Sequence, residues 1–201
     1  MPAKKMLDID YIHQYGLDIV NRVIYVMSNS EIQDTNPETM SLLCKNLDIL
    51  NYYSNKPIKI VSSNSGGDCY CGFSMYNNIK NSKSPIDYYM TGSACSMGTI
   101  IPQAARKRYI HSGTDFMIHL GESQHSGSTK MVESEVEYFK KHKNTMFTIY
   151  AERCQHGEFF KNKKYKLGEV DSYIRNMIDK KEDWWMTAKE AVVMGFADEV
   201  I

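Results

Sequence analysis

An alternation of strand-like and helix-like segments in the middle of the chain limits the available folds more than any other feature. The segments 58–63 and 86–91 are short and rich in β-branched or aromatic residues, which is typical of strands. Between them, apolar residues at 70, 73, 75 and 79 recur at intervals that favour a helix. Two strands joined by a crossover helix run parallel, so the sequence predicts an α/β fold with these two segments paired.

The rest of the chain extends this pattern. Further strands are predicted at 22–27, 108–112 and 115–120. Further helices are predicted at 36–55, 97–107, 131–154, 169–180 and 187–195. The last of these has the clearest boundaries, because Thr187 and Glu190 form a capping-box pattern and Gly195 is a stop signal. The polar segments 121–130 and 155–168 are predicted to be exposed loops.

Length and charge exclude several function classes. A chain of 201 residues suggests a single domain, and its formal net charge of zero gives no basic surface for nucleic acid. No stretch approaches the roughly 18 apolar residues that cross a membrane, and no signal peptide is recognisable at the start. The five cysteines lack zinc-site spacing. We therefore expect free thiols in the cytoplasm, with no metal and no membrane or nucleic-acid partner.

Two glycine-bearing segments each follow a predicted strand and precede a predicted helix. They are "SNSGG" at 63–67 and "GSACSMG" at 92–98. Parallel α/β folds build sites at the carboxyl ends of their strands. Ser96 is placed near a helix start, where backbone N–H groups are unpaired and favour an anion. A serine attacking a carbonyl creates an oxyanion, for which Met97 and Gly67 are the candidate backbone donors.

A nucleophilic serine needs a base and an orienting acid. His119 lies at the end of the predicted strand 115–120 and is the candidate base. The candidate acids are Asp179, Glu182 and Asp183. The resulting chain order Ser, His, Asp differs from those of chymotrypsin and of the α/β-hydrolases.

These residues resemble the motifs of a known family, the proteolytic subunits of the Clp protease, within the ClpP/crotonase superfamily. "GSACSMG" (92–98) is similar to the family's nucleophile motif, and "SNSGG" (63–67) to its "NSPGG". "MIH" (117–119) matches the segment that carries the base, and residues 183–201 match the family's C-terminal motif. The resemblance extends from about residue 16 to the end.

The resemblance implies a role for each matched residue. Ser96 would be the nucleophile, His119 the base and Asp183 the acid. Gly67 and Met97 would supply the oxyanion-hole N–H groups. Asp183 is assigned by its place in the tail motif, with Asp179 as the alternative. No cofactor or metal is implied for this subunit.

The resemblance also implies a fold and an assembly. The fold would be α/β, a ClpP/crotonase-like spiral of ββα units with a protruding handle helix. The single domain 1–201 would consist of an N-terminal segment (1–15), a head (16–119 and 183–201) and a handle region (120–182). The family cleaves unfolded polypeptides as a serine endopeptidase inside a chamber. That chamber is a homo-oligomer of heptameric rings stacked as a tetradecamer, and a partner AAA+ unfoldase consumes the ATP.

The chain departs from the family pattern at several positions. Ser65 replaces the proline of "NSPGG", which predicts a less rigid loop. Cys95 stands beside the nucleophile where alanine is usual. Lys59 and Val61 replace an aromatic pair on the face that receives unfoldase loops. An insertion of some 15 residues, mostly within 154–171, is expected on the surface near the handle.

Three alternatives to the peptidase remain open at this point. One is an inactive or regulatory ring subunit of the same family. Another is a crotonase-like acyl-CoA enzyme, which uses two backbone N–H groups but needs no Ser-His-Asp set. The third is a variant of the peptidase in which Cys95 is the nucleophile, although the motif's register places Ser96 before the Met97 donor.

Overall fold

The computed structural model describes residues 3–27 and 34–201, the side chains of 3–8 excepted. In these residues eight strands form one sheet: β1 (Leu17–Asp18), β2 (Val23–Met27), β3 (Ile58–Asn64), β4 (Ile86–Cys95), β5 (Lys107–Ile110), β6 (Asp115–Ile118), β7 (Trp184–Met186) and β8 (Glu199–Val200). The helices are α1 (Ala3–Tyr15), α2 (Pro37–Tyr53), α3 (Cys69–Lys80), α4 (Met97–Ile100), α5 (Thr129–Cys154), α6 (Glu158–Asn162), α7 (Leu167–Lys181) and α8 (Ala188–Met194). A 3₁₀ turn, Ile101–Ala104, continues α4.

The main sheet is largely parallel. Its order is β1-β2-β3-β4-β5-β8, and only β1 pairs with its neighbour in the antiparallel direction. The register of β3 with β4 begins at Ile58 and Ile86. This confirms the predicted α/β class and the predicted pairing of 58–63 with 86–91.

The edge of strand β4 opposite β3 pairs with two different strands along its length. Its first half, from Asp87 to Met90, pairs with β5, whereas its end, from Ser93 to Cys95, pairs with β6. Strand β7 then pairs with the other edge of β6 in the antiparallel direction. The ends of β4 and β6 and the start of β7 therefore lie side by side.

The two helices that follow β2 and β3 cover one face of the sheet. In α2, Leu43, Leu47 and Leu50 recur at helical spacing and are all buried in the core. Asn36 caps α2 as predicted, and its side chain accepts hydrogen bonds from the backbone of Glu38 and Thr39. The Asp68 carboxylate caps α3 in the same way. These caps fix where the loops at the sheet edge become helices.

Helix α5 is the predicted long helix, and it begins two residues before the predicted start. All of its buried residues lie between Met146 and Cys154. The half from Thr129 to Thr145 extends beyond the core, and its apolar Met131 and Val136 are exposed. No helix in the described part of the chain combines the length and apolar character that spanning a membrane requires.

The prediction of an exposed loop at 155–168 is wrong. This segment contains helix α6, and Phe160 within it is fully buried. Its ring packs against Phe159, Tyr165 and Tyr173. The many lysines suggested a solvated loop, but one in-facing aromatic residue is enough to anchor a short helix to the core.

The C-terminal helix has the boundaries that the sequence predicts. Thr187 and Glu190 form the reciprocal capping box. Gly195 ends α8 with a left-handed φ of 86°. In the described ranges no three His, Cys, Asp or Glu side chains are grouped as metal ligands.

Candidate active site

Ser96 occupies the single residue between the end of β4 and the start of α4. Its backbone has φ 52° and ψ −124°, a conformation that is strained for any residue with a side chain. A sharp strand-to-helix turn of this kind projects the side chain away from the sheet edge. The turn is held because the Ser96 N–H donates to Met117 O at 2.9 Å and Ser96 O accepts from the Thr99 N–H at 2.9 Å.

Two glycines allow the backbone to approach Ser96 closely. A β-carbon on Gly66 would lie 2.6 Å from the Ser96 β-carbon. A β-carbon on Gly98 would overlap Asn64 O, at the end of β3. Glycine is therefore required at both positions, because the end of β3 and the loop after it lie against Ser96 and the start of α4.

His119 follows directly after β6. Because β6 pairs with the end of β4, with Met117 opposite Cys95, the histidine lies over the serine. His119 Nε2 is 2.9 Å from Ser96 Oγ. At this distance the neutral imidazole can accept the serine proton.

Asp183 reaches His119 through the pairing of β6 with β7. Ile118 lies opposite Trp184, so the next residues outward, His119 and Asp183, are also opposite each other. Asp183 Oδ1 is 3.3 Å from His119 Nδ1, and half of the Asp183 side chain is exposed. Within the described residues, neither Asp179 nor Glu182 forms an ion pair with His119. The structure thus brings together Ser96, His119 and Asp183.

Two backbone N–H groups border the same space. Thr35 forms an isolated parallel bridge with Gly67, in which Thr35 N–H donates to Gly66 O and Asp68 N–H donates to Thr35 O. Backbone groups alternate in direction along an extended segment, so the Gly67 N–H faces away from Thr35. Met97 is the first residue of α4, where an N–H has no intrahelical acceptor. Sequence reasoning missed Thr35, because its contact with Gly67 is made by its backbone and its residue type belongs to no recognised motif.

A cavity of about 310 Å³ opens beside the serine and is lined by Gly67, Ser96, Met97 and His119. Its apolar walls come from α3, α4 and the protruding helix α5: Phe73, Ile100, Phe139 and Met146. His142 and Lys143 of α5 also line it. The cavity is large enough for one amino-acid side chain next to the serine hydroxyl.

Cys95 is not among the residues that line this cavity. It is buried, it accepts a hydrogen bond from Ser93 Oγ at 3.4 Å, and its sulfur lies 3.9 Å from Asp115 O. Burial raises the pKa of the Cys95 thiol, and the hydrogen bond from Ser93 only partly offsets this rise. A buried, protonated thiol within the sheet is a poor nucleophile.

Ser65 is held by hydrogen bonds where the family pattern has a proline. Its N–H and its hydroxyl both donate to Asp34 Oδ2. The neighbouring Asn64 is buried, and its Oδ1 accepts from Gly66 N–H at 2.8 Å and from Thr35 Oγ1 at 3.0 Å. These hydrogen bonds constrain the loop although the family's proline is absent.

Comparison with known proteins places this chain in one family. A sequence profile of the Clp protease family matches residues 13–201. The ATP-dependent Clp protease proteolytic subunit of Deinococcus radiodurans is 26% identical over 189 residues, which is 93% of this chain and 83% of the relative. Subunit 1 of the same protease from Protochlamydia amoebophila is 31% identical over 150 residues, 73% of this chain and 66% of the relative.

The fold agrees with a solved structure of this kind. A mutant of ClpP1 from Listeria monocytogenes superposes with a TM-score of 0.73 at 24% identity, covering 91% of this chain and 92% of the other. This similarity confirms the predicted fold, including the helix that protrudes from the head. The chain belongs to the Clp protease family, as a divergent member at about 25% identity to its relatives.

Proposed function

We propose that the chain is the proteolytic subunit of a Clp-type protease and acts as a serine endopeptidase on unfolded polypeptides. One observation carries this proposal. Ser96 Oγ lies 2.9 Å from one ring nitrogen of His119, and Asp183 lies 3.3 Å from the other. A nucleophile, a base and an orienting acid in this order are what acyl transfer from a peptide requires.

In the first half of the reaction, Ser96 Oγ attacks the carbonyl carbon of the scissile peptide bond. His119 Nε2 takes the hydroxyl proton as the carbon–oxygen bond forms, and then delivers it to the leaving amine. Asp183 favours the tautomer with the proton on Nδ1 and stabilises the imidazolium. In the second half, water attacks the acyl-enzyme and gives its proton to His119, which returns it to Ser96 Oγ.

The oxyanion of each tetrahedral intermediate would be bound by the N–H groups of Gly67 and Met97. The proposal is supported by the bridge to Thr35, which leaves the Gly67 N–H facing away from it, and by the place of Met97 at a helix start. Two such fixed donors stabilise developing charge without reorganisation. The cavity bordered by Phe73, Ile100 and Met146 favours an apolar side chain next to the cleaved bond.

The assembly that we propose is a homo-oligomer of heptameric rings, stacked as a tetradecamer, that receives substrate from an AAA+ unfoldase. ATP would be consumed by the partner, and this subunit would need no cofactor. The relatives are ATP-dependent proteolytic subunits by name, which supports this assembly, and so do the exposed Met131 and Val136 on the protruding half of α5. We also propose a cytoplasmic location, because the five cysteines are free thiols.

Native mass spectrometry tests the assembly. We expect species of seven or fourteen chains, and a monomer or dimer as the sole species would contradict the proposal.

The peptidase itself is tested with a short fluorogenic peptide that needs no unfolding. Wild type should hydrolyse it and Ser96→Ala should not. Ser93→Ala, in the same strand end, is the matched control and should retain activity; equal rates for wild type and Ser96→Ala would refute the assignment.

A further inference from the structure

Two buried hydroxyl groups lie behind the serine and have no role in the mechanism described so far. Thr99 Oγ1 is 2.6 Å from Ser96 O and 2.6 Å from the hydroxyl oxygen of Tyr150. Thr99 belongs to α4, and Tyr150 belongs to the buried end of α5. Both side chains are fully buried. A chain of hydrogen bonds therefore runs from α5 to the backbone of Ser96.

The directions of these hydrogen bonds follow from counting protons. A carbonyl oxygen only accepts, so the Thr99 hydroxyl donates its single proton to Ser96 O. The Tyr150 hydroxyl must then donate to Thr99 Oγ1. Burial raises the pKa of Tyr150, and the contact with Thr99 only partly opposes this, so the phenol keeps the proton that it donates.

This chain of hydrogen bonds ends on one particular peptide group. The carbonyl of Ser96 and the N–H of Met97 belong to the same planar trans peptide, so they point in opposite directions. Ser96 O accepts both from the Thr99 N–H at 2.9 Å and from the Thr99 hydroxyl, which lie on the core side. The Met97 N–H is thereby turned toward the cavity that Ser96 and His119 line. Hydrogen bonds to a carbonyl also polarise its peptide and strengthen the N–H as a donor.

We propose that Thr99 and Tyr150 are positioning residues that orient and polarise the Met97 N–H for the oxyanion. Helix α5 thereby takes part in stabilising the transition state through Tyr150, although the Tyr150 side chain is buried behind Ser96 and does not line the cavity. This inference rests on the proposed peptidase function. It adds two residues that act on the reaction through a backbone group and do not touch substrate.

Single-atom changes test the inference. Thr99→Val and Tyr150→Phe each remove one hydroxyl from this chain of hydrogen bonds, and Thr99→Ser keeps it. Tyr88→Phe is the matched control, because Tyr88 is equally buried and its hydroxyl, near that of Ser62, lies outside the chain of hydrogen bonds. The measurements are kcat and KM for a fluorogenic peptide, the inhibition constant of an aldehyde of the same peptide sequence, and the melting temperature.

We expect Thr99→Val to lower kcat about tenfold, with KM changed less than about twofold. This loss is below the roughly 10²–10³-fold that removal of a whole oxyanion donor causes, because the N–H is weakened and not removed. Tyr150→Phe should lower kcat about threefold, and the Thr99→Val/Tyr150→Phe double variant should be no worse than Thr99→Val alone. Thr99→Ser and Tyr88→Phe should match wild type. The aldehyde forms a tetrahedral adduct, so its binding should weaken by the same factor as kcat.

The possible failures are distinguishable. If wild type is active and Ser96→Ala is not, but Thr99→Val and Tyr150→Phe keep the wild-type kcat, the positioning role is refuted and the peptidase stands. The role is also refuted if kcat falls only as far as folded protein is lost, or if Tyr88→Phe loses as much. A wild-type protein without Ser96-dependent hydrolysis would overturn the proposed function and this inference with it.

Discussion

At the scale of single residues, the backbone of Ser96 is the most constrained point of the site. A non-glycine residue at φ 52° and ψ −124° carries strain of about 1–3 kcal/mol. Hydrogen bonds to Met117 O and from Thr99 N–H offset that strain, and both lie in the folded core. The serine side chain is therefore projected toward His119 by the fold, before any substrate binds.

Asp183 gives the residue-scale prediction. Asp183→Asn should lower kcat for a fluorogenic peptide about 10²–10⁴-fold, because an amide no longer holds the tautomer that presents a free Nε2 to the serine. The lower end of that range reflects the half-exposed carboxylate and its 3.3 Å separation from Nδ1. Steady-state kinetics will measure the change.

Asp179→Asn is the matched control for this prediction. Asp179 is exposed on α7, four residues earlier in the chain, and forms no ion pair with His119 in the described residues. It should keep full activity. If instead Asp179→Asn abolished activity and Asp183→Asn did not, Asp183 would not be the acid.

Most of the site's residues were predictable from the sequence. The acid kept an alternative, and two residues were missed. Ser96 and His119 follow from their motifs and their places at strand ends. Asp183 was assigned from the tail motif, with Asp179 as the alternative, because the insertion made the spacing uninformative. The register of β6 with β7 is what brings Asp183 to His119. Thr35 and Tyr150 carried no signal, since one acts through its backbone and the other lies 54 residues from Ser96 in the sequence.

At the scale of secondary-structure elements, the contact between β3 and α4 sets the geometry around the serine. Gly98→Ala should destabilise the fold by about 1–3 kcal/mol, because the added methyl group would overlap Asn64 O and the backbone must move. The shift should also displace Ser96 and lower peptidase activity. Urea unfolding measures the free-energy change.

A second glycine provides the control for this prediction. Gly168 lies in α7, and a β-carbon there has no neighbour within 4 Å. Gly168→Ala should therefore stabilise the protein by about 0.5–1 kcal/mol, the usual gain for alanine in a helix. Equal stability of the two variants would show that β3 and α4 are not in close contact.

Elements with strong periodicity were predictable, and one short element was not. The boundaries of α2 and α8 follow from their caps, Asn36 and Thr187. Helix α6 was missed because five residues give too little periodicity to compete with a polar composition. Its position depends on the burial of Phe160, which is a tertiary effect.

At the scale of the whole molecule, an ion pair between a buried arginine and a partly exposed aspartate joins β5 to the C-terminal segment. Arg108 is almost fully buried and forms hydrogen bonds with Asp198 through its backbone N–H and its guanidinium. Burial of Asp198 favours its neutral form, but the hydrogen bonds and charge of Arg108 outweigh this and hold the pKa of Asp198 below its ordinary value. Arg108 also donates to Gln103 and Gly195 O.

This pair predicts a pH dependence of stability. A carboxyl group with a lowered folded-state pKa adds stability that is fully present above its unfolded pKa of about 4 and is lost as the pH falls through the folded value. Asp198→Asn should lower the free energy of unfolding by about 1–3 kcal/mol near pH 7, because a buried guanidinium loses a charged hydrogen-bond partner that is itself partly exposed. That difference should shrink below about pH 4. A difference that stays constant down to about pH 2 would refute the ion-pair account.

One face of the sheet carries a pair of aromatic rings that the sequence alone did not reveal. Lys59 and Val61 stand on this face where the family pattern has an aromatic pair. The structure places Tyr89 and Tyr109 there in a stacked pair with ring centroids 4.5 Å apart, and the Lys59 ammonium lies 4.1 Å from the Tyr89 ring. Neighbouring strands contribute these rings, and only the strand register brings them together.

Site-resolved mass spectrometry of a fluorophosphonate adduct tests whether Ser96 is an activated nucleophile. Ser96 Oγ should displace fluoride and form a covalent bond to phosphorus, while His119 accepts the proton. We predict one adduct per chain, on the peptide that contains Ser96. The adduct should be absent in Ser96→Ala and retained in Ser93→Ala and Cys95→Ala. An adduct on Cys95, or none on the assembled protein, would show that Ser96 is not the activated nucleophile.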